Sequence, residues 1–445
     1  MNVSAGEEFF GEDRKLKAFL VTLKDEKHSR EEAGSLAGEN AGLALTLGLE
    51  IVSHETVHVK ENHGRYGMGT GKADELAKKA ALLEADCIVF DRNLSPSQQR
   101  NWEELSGVPV IDRQELIIQI FASRARTREA ELQVQMAELV YALPRLHHKY
   151  IDLSRQRGGS HGNRGSGETR FETDRRRVEQ RINRLKEELE EVKRQRQVQR
   201  KLRKRQGIPV CALVGYTNSG KSSILNALTG AGVLAEDKLF ATLDSTSRKL
   251  KLPQGTQVLL VDTVGFIRRL PPSLINAFQS TLEELSQADI LLNVLDVSDE
   301  NASEQFETTL SVLGDLGAGN IPMITVLNKI DKLGSEETSL DALVKLRTGN
   351  LSGRSEVAGR GSLPVSVPVS ALKGNGLTEL CERIEKMLLG NNLRFRLPTE
   401  RTDLAALIHR SGNVVSEKYG TRYIEVEARV DESTAGRLKE YQINE

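Results

Sequence analysis

The sequence predicts an α/β protein of several domains, and three observations carry that expectation. Apolar runs of strand length alternate with amphipathic stretches of helical spacing over 1–120 and again over 207–390. Residues 112–206 between them read as helical and are unusually rich in arginine. The last stretch, 392–445, combines a helix pattern with a hairpin. A chain of 445 residues holds about three domains at the usual 100–200 residues each. The composition shifts divide it into a 1–120 N-terminal α/β domain, a 121–206 basic helical hairpin, a 207–390 α/β domain and a small 391–445 C-terminal α+β domain.

In order, Lys17-Ala18-Phe19-Leu20-Val21-Thr22-Leu23 reads as a strand, 30–48 as a helix and 51–59 as an alternating strand. Residues 72–85 follow as a helix and Asp86-Cys87-Ile88-Val89-Phe90 as a strand. A helix over 95–105 has Ser95 as N-cap and Pro96 in first position. Val108-Pro109-Val110-Ile111 closes this domain. Residues 112–143 predict one long helix that ends near Pro144, because proline removes a backbone donor. Residues 170–204 predict another, with Val178, Ile182, Leu185, Leu189 and Val192 spaced by three and four. The glycine-rich basic stretch 157–167 reads as the tip between them. In the C-terminal piece a helix near 400–411 precedes strands 413–419 and 421–430, which turn at Gly420.

Composition excludes several classes. The net charge of −1 gives no global bias toward polyanions. Yet the second long helix concentrates Arg175, Arg176, Arg177, Arg181, Arg184, Lys193, Arg194, Arg196, Arg200, Lys201, Arg203, Lys204 and Arg205. That local excess fits RNA contact, against the blander reading of a solvated face with partners such as Glu187 and Glu191. Cys87, Cys211 and Cys381 are far apart and read as reduced residues of a cytoplasmic protein. The eight histidines show no zinc spacing. The acidic start does not read as a signal peptide, and no apolar run reaches membrane-spanning length.

The chemistry lies in four strand ends of the 207–390 stretch. Val210-Cys211-Ala212-Leu213-Val214 leads into Gly215-Tyr216-Thr217-Asn218-Ser219-Gly220-Lys221-Ser222, which fits G-x-x-x-x-G-K-[ST] and opens a helix. Glycines let backbone N–H groups turn toward phosphate oxygens, and the helix N-terminus adds positive partial charge. Lys221 would reach the terminal phosphates and Ser222 would hold Mg²⁺. Val258-Leu259-Leu260-Val261 ends at Asp262-Thr263-Val264-Gly265, where a carboxylate meets the Mg²⁺ shell and the Gly265 N–H meets the terminal phosphate. Met323-Ile324-Thr325-Val326-Leu327 ends at Asn328-Lys329-Ile330-Asp331. A carboxylate at 331 accepts from both N1–H and the 2-amino group of guanine, which adenine cannot offer, and Lys329 would lie along the base. The run 364–369 leads into Ser370-Ala371-Leu372, whose backbone closes over the base. Four such motifs in this order specify GTP as substrate, with Lys221, Thr242 and Gly265 touching the reacting phosphate. Phe240-Ala241-Thr242-Leu243-Asp244 is the natural switch segment, and Thr242 is the candidate second Mg²⁺ ligand, ahead of Thr246 and Thr263.

Two positions leave alternatives open. Phe266 stands where many such enzymes carry a water-orienting glutamine. It cannot bond water, so intrinsic hydrolysis is expected to be slow. Asn218 either stabilises its loop or helps hold K⁺ beside the phosphates. A second glycine loop, Gly67-Met68-Gly69-Thr70-Gly71-Lys72, is either a phosphate contact or a plain turn.

Beyond these motifs, several strings recur as a set. They are Phe90-Asp91-Arg92-Asn93-Leu94-Ser95-Pro96, Asp112-Arg113, Arg124-Ala125-Arg126-Thr127-Arg128-Glu129-Ala130, Leu143-Pro144-Arg145-Leu146, Gly167-Glu168-Thr169-Arg170 before Asp174-Arg175-Arg176-Arg177, and Asp262-Thr263-Val264-Gly265-Phe266-Ile267-Arg268. With Gly215-Tyr216-Thr217-Asn218 they make the chain resemble the HflX family of GTPases over nearly its whole length. Trp102, His161 and Ser166 depart from the family's usual choices. The resemblance implies a P-loop GTPase domain of TRAFAC type in a ribosome-associated protein, expected as a cytoplasmic monomer. It also implies binding to the large ribosomal subunit and its RNA, with the hairpin tip directed at the peptidyl-transferase region, and splitting of stalled or idle ribosomes. A GTPase acting in ribosome assembly or RNA modification is the alternative, and a switch acting on protein partners alone is a third class.

Overall fold

The computed structural model describes residues 14–25, 30–59, 63–156, 164–205, 208–230, 232, 238–243, 246–269, 285–333, 365–389, 393–430 and 432–443. Its contacts define two units. One comprises Met1–Arg194, Asp237–Asp244 and Arg269–Gln279, and the other Gln195–Glu236, Ser245–Arg268 and Ser280–Glu445.

The first unit is built on β1 (Lys17–Asp25), β2 (Glu50–Val59), β3 (Cys87–Phe90) and β4 (Val110–Ile111), all parallel in the order β2-β1-β3-β4. Parallel strands need crossovers, and α1 (Arg30–Thr46), α2 (Thr70–Leu82) and α3 (Pro96–Ser106) supply them. Apolar residues cover both faces of β1, so it reads as a continuous run rather than an alternation. At α3 the Ser95 hydroxyl accepts from Gln98 N–H and the Gln98 side chain returns to Ser95 N–H, a capping box behind Pro96.

The expected single helix over 112–143 is two. α4 (Arg113–Arg124) stops at Ala125, whose backbone is extended, and α5 (Arg128–Gln156) restarts where Thr127 Oγ1 accepts from Ala130 N–H. α5 then runs through Pro144, correcting the expected stop. Tyr141 and Arg145 flank that proline and anchor the helix. Arg145 donates to Asp112 Oδ2 at 3.0 Å, to Gln99 Oε1 at 2.7 Å and to Leu94 O at 3.1 Å, and lies over the Tyr141 ring. Such a buried network offsets the roughly 3 kcal/mol that an interior proline costs. α6 (Arg164–Arg205) begins six residues before the expected 170, and Arg128 on α5 pairs with its Glu188 at 2.8 Å. Residues 157–163 of the expected tip lie outside the described residues.

Glu115 belongs to the same network and accepts from the Tyr141 hydroxyl at 3.0 Å and from Gln99 at 3.1 Å. Burial, reinforced by the Asp112 carboxylate, pushes its carboxyl up to about 7, against hydrogen bonds from Tyr141 and Gln99 and the Arg145 charge. Between the ordinary value of 4.5 and about 7 the folded state therefore binds more protons than the unfolded one. Stability contributed by this group is full at low pH and falls as pH rises through that window. Glu115→Gln is expected to flatten the pH dependence: the two proteins melt together near pH 5, and the variant melts several degrees higher at pH 8. Thermal melts monitored by circular dichroism at both pH values check this, and equal slopes refute it.

The second unit contains a six-stranded sheet in the order β10-β9-β8-β5-β7-β6. It comprises β5 (Val210–Val214), β6 (Thr246–Lys251), β7 (Gln257–Asp262), β8 (Ile290–Asp296), β9 (Met323–Asn328) and β10 (Val365–Pro368). Only the edge strand β6 is antiparallel. β8 is central and wholly buried, yet sequence reading passed over it because no motif marks its end. α7 (Lys221–Thr229), α8 (Ala302–Asp315) and α9 (Leu377–Leu389) accompany this sheet. A second sheet is antiparallel, in the order β12-β13-β11-β14, from β11 (Leu393–Pro398), β12 (Gly412–Tyr419), β13 (Tyr423–Val430) and β14 (Gln442–Ile443), with α10 (Thr402–Ser411) and α11 (Glu432–Arg437). The hairpin and α10 were expected; β11 and β14 were not. Among the described residues no helix is long and apolar enough to cross a membrane.

Candidate functional site

Four loops at the carboxyl ends of β5, β7, β9 and β10 converge in the second unit, and their contacts fix each functional side chain. The phosphate loop needs glycine at two places. Gly215 has φ +139, and a Cβ there would stand 2.3 Å from Val294 O. Gly220 has φ +95, and a Cβ there would stand 2.2 Å from Asn328 Nδ2. Only glycine tolerates both the left-handed backbone and the close approach.

Lys221 is buried, and its Nζ donates to Tyr216 O at 2.7 Å and Gly215 O at 3.3 Å. Burial pulls the ammonium down to about 8, a shift that Asp262 opposes and Lys329 adds to. The Ser222 hydroxyl donates to Asp262 Oδ2 at 2.6 Å, so the two groups expected around Mg²⁺ face each other. The Thr263 hydroxyl instead donates to Leu213 O at 2.7 Å, which ties it to β5.

The loops after β9 and β10 interlock with the phosphate loop. Asn328 Nδ2 donates to Ser219 O at 2.9 Å, and its Oδ1 accepts from Ala371 N–H at 3.2 Å. One side chain therefore sets the spacing of three loops. Lys329, at φ +65, donates to Asn218 O at 2.9 Å and pairs with Asp296 at 2.7 Å. Asp296 ends β8, and sequence reading missed it; an acidic residue closing a buried apolar run was the available signal. The Ser370 hydroxyl donates to Asp331 Oδ1 at 2.6 Å and accepts from Lys373 N–H, holding that carboxyl below its usual range. Ile330 is half-buried, Ala371 likewise, and Leu372 is exposed.

Val264 is buried, and Gly265 and Phe266 lie close against the phosphate loop. Phe266 N–H donates to Gly215 O at 3.0 Å and Thr217 N–H to Phe266 O at 2.8 Å, a short parallel bridge. Phe266 is buried, as packing within this bridge requires. The segment expected as a switch falls in the first unit, where Phe240 is buried edge-on to Phe121 with ring centroids 4.7 Å apart and Leu239 N–H reaches the Thr46 hydroxyl. Ala241, Thr242 and Leu243 follow it, and Asp244 lies outside the described residues. Of the second glycine loop, Gly69 caps α2 and Lys72 pairs with Glu75 on its own helix.

Known proteins are similar to this chain in sequence. The GTPase HflX of Akkermansia muciniphila is 44% identical over 412 residues, covering 91% of each chain. The chain belongs to the HflX family of GTPases. Further GTPases of that name are those of Caldanaerobacter subterraneus, 40% identical over 97% of this chain and 94% of that one, and of Escherichia coli K12, 40% identical over 84% of each. Family matches divide the chain much as its elements do. Residues 35–122 match "GTP-binding GTPase N-terminal", 124–203 "GTP-binding GTPase Middle Region" and 210–329 "50S ribosome-binding GTPase". A GTP-binding protein of Sulfolobus solfataricus, solved with GDP, is 26% identical over 84% of this chain and 98% of that one, with a TM-score of 0.44. As an HflX protein the chain is a GTP hydrolase built on a P-loop domain.

Proposed function

We propose that this HflX protein binds the large ribosomal subunit in its GTP form, splits stalled or idle ribosomes, and leaves after hydrolysis. The match of 210–329 to a family described as 50S ribosome-binding GTPase carries the reading. The basic helix α6 supports it, since Arg175, Arg176, Arg177, Arg181 and Arg184 are all exposed along it. In this reading 1–120, 121–206, 207–390 and 391–445 act as four functional parts, the second of which meets ribosomal RNA.

Residue roles follow from the site. Backbone N–H groups over 215–222 and the Lys221 ammonium hold the phosphates. Ser222 and Asp262 present hard oxygen donors 2.6 Å apart, a donor set that suits Mg²⁺. Thr242 would complete that set. The ion would neutralise charge developing on the phosphates. Asp331 reads guanine while Lys329 and Ser370-Ala371-Leu372 border the base. Asn218 either stabilises its loop or would help hold a K⁺ ion beside the phosphates. Phe266 has no group to orient water, so the ribosome would supply that positioning.

The test pairs cosedimentation with isolated large subunits and light scattering of intact ribosomes, each with GTP, a non-hydrolysable analogue and GDP. Loss of scattering with GTP supports splitting. Subunit binding without that loss points to assembly or RNA modification, and no salt-sensitive binding removes the ribosome. Changing Arg175, Arg176 and Arg177 together to Ala should weaken binding and flatten its salt dependence, because fewer counterions are released. Arg175 pairs with Glu179 and Arg177 with Asp174 on the same helix. These exposed pairs are worth at most about 1 kcal/mol and are readily exchanged for phosphate. The log–log slope should therefore fall by about 1–2 rather than by the full three charges. A wild-type slope would make this a solvated face only.

A further inference from the structure

Tyr216 occupies the second position of the phosphate loop, and its side chain reaches the segment that follows Gly265. The ring is buried, and the phenol oxygen accepts from Arg268 N–H at 3.0 Å. Together with the two backbone bonds of the Gly215–Thr217 bridge to Phe266, this makes three hydrogen bonds between the loop and residues 266–268. The Arg268 guanidinium in turn pairs with Glu304 on α8 at 2.7 Å. The segment is thus held at one end by the phosphate loop and at the other by a helix of the domain.

That hold has a consequence at Gly265. A Cβ built on it would stand 2.8 Å from Lys221 Nζ and 2.8 Å from Thr217 Cα. Gly265 is therefore packed against the ammonium that must meet the terminal phosphates, with no room for a phosphoryl group between them. A diphosphate that stops at Lys221 leaves Gly265 where it is. A triphosphate, whose last phosphoryl lies between Lys221 and the Gly265 N–H, has to push the segment outward. Only a ligand with different affinity for two positions of a segment shifts it, and here the two nucleotides differ in just that respect.

We propose that Tyr216 is a positioning residue that sets the preference between GTP and GDP, its phenol holding residues 265–268 in the position that a third phosphate must displace. The inference rests on the GTP reading of this site. It makes the hydroxyl a brake on GTP binding, not a contact to nucleotide. Removing it lowers the cost of outward movement by one hydrogen bond and leaves the diphosphate contacts intact.

The experiment uses the full-length chain and Tyr216→Phe, titrated with fluorescent GDP and with a fluorescent non-hydrolysable GTP analogue. The variant should bind the GTP analogue roughly 2- to 10-fold more tightly, the range that loss of one hydrogen bond allows, and GDP within about twofold of wild type. Glu304→Gln, which frees Arg268 from α8, should shift the ratio in the same direction. A purely structural role for the tyrosine would move both nucleotides together, so an unchanged GTP-to-GDP ratio in Tyr216→Phe overturns the proposal whatever happens to the melting temperature. Weaker analogue binding with unchanged GDP binding overturns it too, since the phenol would then favour the triphosphate position. If the wild-type protein binds neither nucleotide, the site reading itself falls, a result distinguishable from failure of the brake.

Discussion

Asp331→Asn is expected to weaken GTP binding by on the order of 10²–10⁴-fold and to move the preference toward xanthine nucleotides. The carboxylate can accept from both guanine donors, and the Ser370 hydroxyl, donating to Oδ1 at 2.6 Å, orients it. The same bond is the largest cause of the group's lowered pKa and so favours the carboxylate form that accepts from guanine. An amide at 331 would turn one N–H donor toward a guanine donor and leave both unpaired, a cost paid in the bound state. Xanthine presents a carbonyl where guanine presents its amino group, so the amide regains a partner. Fluorescence titration with GTP and XTP measures both halves of the effect. Unchanged GTP affinity would remove Asp331 from base recognition.

Trp102→Ala is expected to destabilise the first unit by about 3–5 kcal/mol. The indole is fully buried, its Nε1–H donates to Tyr66 O at 2.9 Å, and its ring meets Tyr66 at 5.6 Å and Phe90 at 5.1 Å. The substitution leaves both a cavity and a buried carbonyl without its donor. Trp102→Phe refills most of the space and should cost less, about 1–3 kcal/mol, chiefly through the unmet carbonyl. This is the chain's one tryptophan, so unfolding must be followed by circular dichroism rather than by indole fluorescence. A midpoint in urea within experimental error of wild type would refute the packing argument. In the sequence Trp102 stands out only as a departure from the family pattern; the structure packs it between β3 and the Tyr66 turn.

Several errors of sequence reading share a cause. Pro144 reads as a helix stop because local chemistry says so, and α5 passes through it because Tyr141 and Arg145 are fastened to Asp112, Glu115 and Gln99 from distant parts of the chain. β8 is a plain apolar run with no motif, so nothing local distinguishes it from other buried segments, yet it lies at the centre of the sheet and delivers Asp296 to Lys329. β11 gains its identity from pairing with β13 on one side and the two-residue β14 on the other.

What the sequence determined by itself is what depends on chemistry within a few residues. The glycines that admit left-handed backbone, the lysine and serine that follow them, the carboxylate proposed to read the base and the Ser95–Pro96 helix start all act over such short spans, so their spacing alone reveals them. Tertiary structure alone decided how these pieces constrain one another. Asn328 joins three loops, the Tyr216 phenol meets Arg268 across 52 residues, and Phe266 is zipped to Gly215 and Thr217. Those contacts arise because parallel strands bring remote loops to one sheet edge, where hydrogen bonds form between partners that no local pattern connects.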